Sequence, residues 1–310
     1  MFNNRIVGLL GVGAGFAGGA AVAVQTRING QLAGGFGDGF VAALVSFGIG
    51  LVLLVPVVLT AGNARAAGGR VVRALRDGEL RWWQCLGGAG GAWFVTTQGL
   101  TASVLGVAVF TVSVVAGQVV TSLFVDRAGI GPGGPVAITR GRALAAAITV
   151  VAVGIAVSDD VGRPDALWPA LIPALGGAAM GWQQAVNGLV RVRGGSVRFA
   201  TMLNFAVGTV LLFVVCAVKV AVWGWPNPAP TEWWLYTGGA IGIVALTTAV
   251  FAVKHIGVLV LGLSAVSGQL VGSILVDLTG PGVDGATVAG AAVTLVAVVV
   301  AAGRRPAMRG

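Results

Sequence analysis

Residues 82–125 are forty-four consecutive positions without one charged side chain. Nothing else in this chain restricts its fold as much. Only 9% of its 310 residues are charged and 56% are hydrophobic, where soluble domains carry about 25% charged residues. Apolar runs of about 20 residues, the length that crosses a bilayer's hydrocarbon core, recur from end to end. In hydrocarbon each backbone N–H and C=O must be paired within the chain, which leaves helices or a closed barrel. Barrel strands alternate apolar and polar positions, and these runs are continuously apolar. The fold class is therefore an all-α polytopic membrane protein.

Ten apolar segments are predicted, near 6–28, 39–62, 82–102, 106–126, 138–158, 166–189, 199–219, 233–253, 256–276 and 285–303. The uncharged run is too long for one crossing and is divided within 101–106. The matching place in the second half of the chain carries Lys254-His255. The first segment superficially resembles a signal peptide, with Arg5 and then an apolar run. That run exceeds the usual signal length, and it takes part in the repeat described below, so it is read as the first membrane helix.

The net charge of +9 does not point to nucleic acid, because no basic-aromatic patch and no RNA-binding or zinc-finger spacing accompanies it. The cations sit between apolar runs, as orientation charges do. With the N-terminus in the cytoplasm, the inner side holds Arg5, Arg65, Arg70, Arg73, Arg76, Arg81, Arg127, Arg140, Arg142, Arg191, Arg193, Arg198, Lys254, Arg304, Arg305 and Arg309. Only Arg27, Arg163 and Lys219 fall outside. This distribution predicts cytoplasmic termini and an even number of crossings. Cys85 and Cys216 lack metal-ligand spacing and fall near opposite faces, so a mutual disulfide is not expected.

The chain is written twice. VAGQVVTSLFVDRAG (115–129) recurs as VSGQLVGSILVDLTG (266–280), identical at eight of fifteen positions. The same offset of 151 carries Trp82-Trp83 to Trp233-Trp234, Gly87, Gly88 and Gly91 to Gly238, Gly239 and Gly242, and Thr96-Thr97 to Thr247-Thr248. An offset of 158 carries Gln25, Asn29 and Gly30 to Gln183, Asn187 and Gly188, Ser46-Phe47 to Asn204-Phe205, and Gly50 to Gly208. The predicted units are 1–160 and 161–310, each with five helices. Five is odd, so the second unit enters the membrane from the opposite face. Such inverted repeats mark secondary transporters.

Gln25-x3-Asn29-Gly30, Ser46-Phe47-x2-Gly50 and Gly117-Gln118-x3-Ser122-x3-Asp126, each with its second copy, resemble the YdcZ-like branch of the drug/metabolite transporter superfamily along nearly the whole chain. The resemblance implies ten helices around a central cavity, residence in a bacterial plasma (inner) membrane, and export. One departure matters. The small multidrug-resistance relatives carry a Glu in the first helix for proton and cation exchange. Here residues 6–26 hold no ionisable group, so that mechanism does not transfer.

Polar residues inside the apolar helices are the candidate site. Gln25 with Asn29, and Gln183 with Asn187, share helix faces four residues apart. They either line a cavity or tie helices together, and Asn-Gly is also a helix-end signal. Gln118, Ser122 and Asp126 form one stripe, repeated as Gln269, Ser273 and Asp277. Gln and Ser suit cavity lining or interhelical bonds. Asp126 and Asp277 end their helices on opposite faces, as caps or as gates. Arg127, Arg140 and Arg142 are the candidate partners inside, and Arg163 outside. Arg27 has no cationic counterpart, its twin being Ala185, and is either an interface residue or an anion-attracting group at the outer mouth. Trp93 and Trp182 lie deeper, as packing residues or as stacking surfaces. The paired tryptophans at 82–83 and 233–234 read as membrane-surface anchors. Glycines four apart, as in Gly87-x3-Gly91 and Gly268-x3-Gly272, read as sites of close helix approach.

These features favour a secondary transporter of small neutral or zwitterionic molecules or drug-like amphiphiles. No phosphate loop with a Lys-Ser/Thr ending is present, so direct use of ATP is not expected. An enzyme is disfavoured by one histidine, His255, and no clustered membrane carboxylates. No metal and no cofactor is expected. A channel or a non-transporting membrane protein is the alternative class. The expected partners are the bilayer and a small-molecule substrate. One chain supplies both units, so a functional monomer is expected, with the Gly-rich outer faces as a route to a homodimer.

Overall fold

The computed structural model describes residues 2–132, 134–156, 164–280 and 282–303, and the side chains within them except those of 2–8, 164–167, 246–247, 249–263 and 297–303. Arg5, Asp159, Asp160, Arg163, Lys254, His255 and the C-terminal arginines fall outside those limits. Among the described residues there are nine α-helices and no strand: α1 Phe2–Phe36, α2 Gly39–Thr60, α3 Gly62–Arg76, α4 Gly87–Arg127, α5 Arg140–Ala156, α6 Pro164–Gly194, α7 Val197–Trp223, α8 Gly238–Leu278 and α9 Gly285–Gly303. By length and composition, four stretches are long and apolar enough to cross a membrane: Leu9–Phe36, Gly39–Thr60, Gly87–Arg127 and Val197–Trp223. Short 3-10 turns at Trp82–Cys85 and Trp233–Thr237 lead into α4 and α8, and they expose Trp82 and Trp233.

Helix α4 is not one rod. Phe94 and Phe110 are sixteen residues apart, which is about 24 Å along a straight helix, yet their ring centroids lie 6.1 Å apart. The chain folds back at Gly106, whose φ of 76° and ψ of 161° are non-helical and which only glycine adopts without strain. Consecutive residues of α6 register the reversal: Gly176 touches Thr97 of the first arm and Gly177 touches Val114 of the second. The break expected within 101–106 falls at its last residue. Helix α8 behaves alike, because consecutive Gly18 and Gly19 of α1 meet Thr248 and Ala265.

Close packing is made by glycine. A Cβ on Gly117 would land inside the carbonyl oxygen of Ala174, and one on Gly177 inside that of Val114. Each approach has a counterpart in which the two halves exchange roles. Gly268 meets the Phe16 carbonyl as Gly117 meets Ala174, and Gly19 meets Ala265 as Gly177 meets Val114. Gly88 packs on Asn204 and Gly208 as Gly239 packs on Ser46 and Gly50. Phe47 and its twin Phe205 touch each other, with centroids 5.0 Å apart. The major packings accordingly run across the halves, α1 on α8, α6 on α4, α2 on α7 and α5 on α9.

Three sequence expectations need correction. Residues 63–81, read as a loop, contain the amphipathic α3. Its Ala64, Ala67, Val71 and Ala74 are buried, and Arg70 Nε donates to Gly194 O at 2.8 Å. Arg65, Arg73 and Arg76 point outward. Secondly, Asn29-Gly30 and Asn187-Gly188 do not end their helices, since α1 continues to Phe36 and α6 to Gly194. Tertiary contacts override the local signal there: Gly30 packs against Ala102 and the Asn29 amide pairs with Gln98. Thirdly, Asp277 is not a surface-end residue, as described below.

The turns between helices are capped. Asp38 accepts from the N–H groups of Phe40 and Val41 at the start of α2, and Ser196, at the equivalent position, accepts from Phe199 N at the start of α7. Asp38 also holds Lys219 of α7 in an ion pair. Burial pushes the Asp38 carboxyl upward, but the hydrogen bonds from Lys219, Val41 and Phe40 and the charge of Lys219 outweigh it, leaving it below its usual value of 3.8.

Two outcomes follow from these contacts. Gly117→Ala and Gly268→Ala force backbones apart and lower stability by about 1–3 kcal/mol, whereas Gly34→Ala, which meets nothing within 4 Å, is neutral or stabilising; thermal unfolding in detergent reads the difference. Asp38 is a group whose folded pKa is depressed, so its stabilisation is complete above the unfolded value and is lost as pH falls through the lower folded value. Lys219→Met removes the main lowering interaction and moves the midpoint of acid unfolding to higher pH.

Candidate functional site

The amide pairs predicted from the sequence are both in polar clusters, but the clusters differ. On the α1 side, Asn29 is fully buried and its Nδ2 donates to Gln98 Oε1 at 2.6 Å. Gln98, also fully buried, donates from Nε2 to Thr26 Oγ1 at 2.9 Å, and Thr26 Oγ1 donates in turn to Val22 O at 2.9 Å. Among the described residues Asn29 Oδ1 has no hydrogen-bond donor, and it lies against Gly238, where an added Cβ would be 2.3 Å from it. Gln25 is buried with its amide against Gly242.

On the α6 side the acceptor is Asn204 of α7. Its Oδ1 takes hydrogen bonds from Gln183 Nε2 at 2.9 Å and Asn187 Nδ2 at 2.8 Å. Gln183 and Asn187 are half-buried and pack on Gly91 and Gly87, as their twins pack on Gly242 and Gly238. The halves thus present matching amides against matching glycines and satisfy them with unrelated partners. Ser46 stands where the second half has Asn204, and Ala249 stands where the first half has Gln98. Among the described residues, no hydrogen bond joins one amide pair to the other.

The two polar stripes differ in exposure. In the first, Gln118, Ser122 and Asp126 are all half-buried. Gln118 Nε2 donates to Gln184 Oε1 at 3.0 Å, Ser122 Oγ donates back to Gln118 O at 2.7 Å, and Asp126 forms an ion pair with Arg142. In the second, Gln269, Ser273 and Asp277 are all buried. Among the described residues Gln269 Nε2 has no acceptor, and Ser273 Oγ donates to Leu270 O at 2.8 Å.

Asp277 is 3% exposed and does not cap its own helix. Its Oδ1 accepts from Val107 N at 3.0 Å and its Oδ2 from Ala108 N at 2.7 Å. These are orphan N–H groups at the start of the second arm of α4, immediately after the Gly106 reversal. A carboxylate there is favoured by both the hydrogen bonds and the helix dipole. Its repeat counterpart Asp126 has found Arg142, one of the three arginines expected. Arg163, expected beside Asp277, lies outside the described residues.

Arg27 extends along the C-terminal end of α8. Nη1 donates to Val276 O at 3.2 Å, and the guanidinium lies directly on Gly280. It borders a recess of about 330 Å³ lined by Val24, Ile28, Gln31, Trp234, Val276 and Thr279, which is mostly apolar and separate from both amide clusters. Trp93 and Trp182 are half-buried; among the described residues neither indole stacks on a ring or a cation.

Gln98, Gln184 and Asn204 are site residues that the sequence expectations do not contain. Gln98 was open to discovery as the amide midway along the uncharged run, but it has no repeat twin. Asn204 was visible only as the counterpart of Ser46. Truncating the acceptor leaves buried donors unpaired, so Gln98→Leu costs about 1–3 kcal/mol. Asn204→Leu costs less, because Gln183 and Asn187 are half-exposed and water replaces the lost bonds. Melting temperatures of the two variants check the order.

Compared with known proteins, the chain matches the model of the family described as "Putative inner membrane exporter, YdcZ" in two segments, residues 10–156 and 168–303. No individually curated protein matches it.

Proposed function

We propose that this chain, which belongs to the YdcZ-like drug/metabolite transporter family, is a secondary exporter that works by alternating access. Its ten membrane-spanning segments form two five-span halves of opposite orientation, 1–160 and 161–310. They are α1, α2, the two arms of α4 and α5, then α6, α7, the two arms of α8 and α9. The break between the two matched segments falls at the boundary between these halves.

One observation carries the reading: equivalent residues are unequally buried. Gln25, Asn29, Gln269, Ser273 and Asp277 are buried, while Gln183, Asn187, Gln118, Ser122 and Asp126 are half-exposed. By the Lys/Arg distribution, the first group lies toward the outer face and the second toward the cytoplasm. The same side chains in the same local packing are closed on one side and open on the other, as expected of an inward-facing state. Exchanging the conformations of the halves yields the outward-facing state. Three ion pairs support the orientation, each joining residues assigned to one side by the sequence: Asp126–Arg142 and Glu79–Arg193 inside, Asp38–Lys219 outside.

The half-exposed lining is made of amides, a hydroxyl and a carboxylate neutralised by Arg142, which suits a small neutral or zwitterionic solute or a drug-like amphiphile. An ion gradient supplies the energy, and a single chain contains both halves. The test is flux in vesicles of the purified protein with and without a proton gradient. Gln118→Leu and Gln269→Leu are expected to lower gradient-driven flux about tenfold or more while the melting temperature holds, the scale of one lost hydrogen bond to substrate. Full flux in both removes these residues from the mechanism, and unitary currents in planar bilayers replace the transporter reading with a channel.

A further inference from the structure

We infer that Asp277 and Arg27 form the outer latch, the two contacts that must break for the outer side to open. The inference rests on the alternating-access reading and adds to it the residues that hold one side shut. Both side chains act at the end of the second arm of α8. Asp277 reaches from that arm to the orphan N–H groups of Val107 and Ala108, at the turn joining the arms of α4. Arg27 reaches from α1 onto the same arm, through Val276 O and the face of Gly280. Three elements, one from α8 and two from the other half, are therefore tied at one point.

Among the described residues the inner face lacks this arrangement. Asp126, the twin of Asp277, is 40% exposed and paired with Arg142 of the nearby α5. The position equivalent to Arg27 is Ala185, which meets Gly131 only at ordinary van der Waals distance. The engaged latch coincides with the buried stripe and its absence with the half-exposed one.

The chemistry suits a reversible tie. The carboxylate pairs with backbone N–H groups, which have no alternative partner while the turn is dry. Water satisfies both sides once the arms separate, so opening is offset by hydration. Gly106 is required because its φ of 76° turns the two N–H groups into one concavity, and its α-carbon lies beside Asp277 Oδ2, where a Cβ would be 3.1 Å away.

The test uses two single-cysteine reporters in a background with Cys85 and Cys216 replaced by Ala: Ser273→Cys on the outer stripe and Ser122→Cys on the inner one. A membrane-impermeant maleimide is applied to intact cells or to inverted vesicles. Asp277→Ala and Asp277→Asn are expected to raise outside labelling of the Ser273→Cys reporter about tenfold and to lower inside labelling of the Ser122→Cys reporter in step, on the scale of a lost charge-assisted hydrogen bond. Arg27→Ala, which leaves the buried carboxylate intact, shifts both reporters the same way and stands in should the Asp277 variants fail to fold. Glu79→Gln, a surface pair at the inner face, shifts neither. A lower melting temperature without the reciprocal change makes Asp277 and Arg27 structural caps and overturns the latch alone. Simultaneous labelling of both reporters in one wild-type molecule overturns alternating access, and the latch with it.

Discussion

Backbone laid directly on backbone is the contact on which this structure depends. Lipid tails are as apolar as leucine, so helices in a membrane gain nothing from hiding apolar surface against each other. They gain from close contact, and among the described glycines Gly117 on Ala174, Gly268 on Phe16, Gly177 on Val114 and Gly19 on Ala265 lie against backbone carbonyls most tightly. All four cross between the halves. Neither half can collapse around its own core, because its first helix packs in the arms of the other half's folded helix. Glycine also supplies the reversal at Gly106 that makes two arms from one helix. The same residue type thus sets both the topology and the interface.

Such an interface is smooth. Carbonyl oxygens facing glycine α-carbons present no interlocking side chains, so one helix can shift along another at small cost. Under the proposed alternating access, what selects one arrangement over the other is the sparse set of polar contacts, Asp277 and Arg27 at one end and Asp126 with Arg142 at the other. On that reading packing leaves the helices free to shift, and a few directional bonds decide where they rest.

The all-helical fold and the four stretches of crossing length were legible in the sequence because hydrophobicity at bilayer length is a long, redundant signal. The division of the uncharged run was visible from a single matching break in the other half. Helix α3 was hidden because its buried face is built mainly from alanine and is interrupted by arginines, so it reads as a basic loop. The acceptors Gln98 and Asn204 escaped for a different reason. The repeat directed attention to residues that recur, and these two differ between the halves. The role of Asp277 was not legible at all: its partners are backbone N–H groups, which every residue except proline carries, and only Gly106 hints that two of them are exposed.

That divergence bears on how a duplicated protein becomes a directional one. Two identical halves would give inward-facing and outward-facing states of equal energy. Here the amides of α1 are met by a fully buried Gln98, while those of α6 share the buried Asn204 and stay half-exposed themselves. Arg27 adds a cation that Ala185 cannot supply at the equivalent place on α6. The first difference lies within one half and the second ties the two halves together, so under the proposed alternating access it is Arg27 that tilts the resting balance toward closure of its own side. Under the proposed orientation the opposite side faces the cytoplasm, from which an exporter takes its cargo.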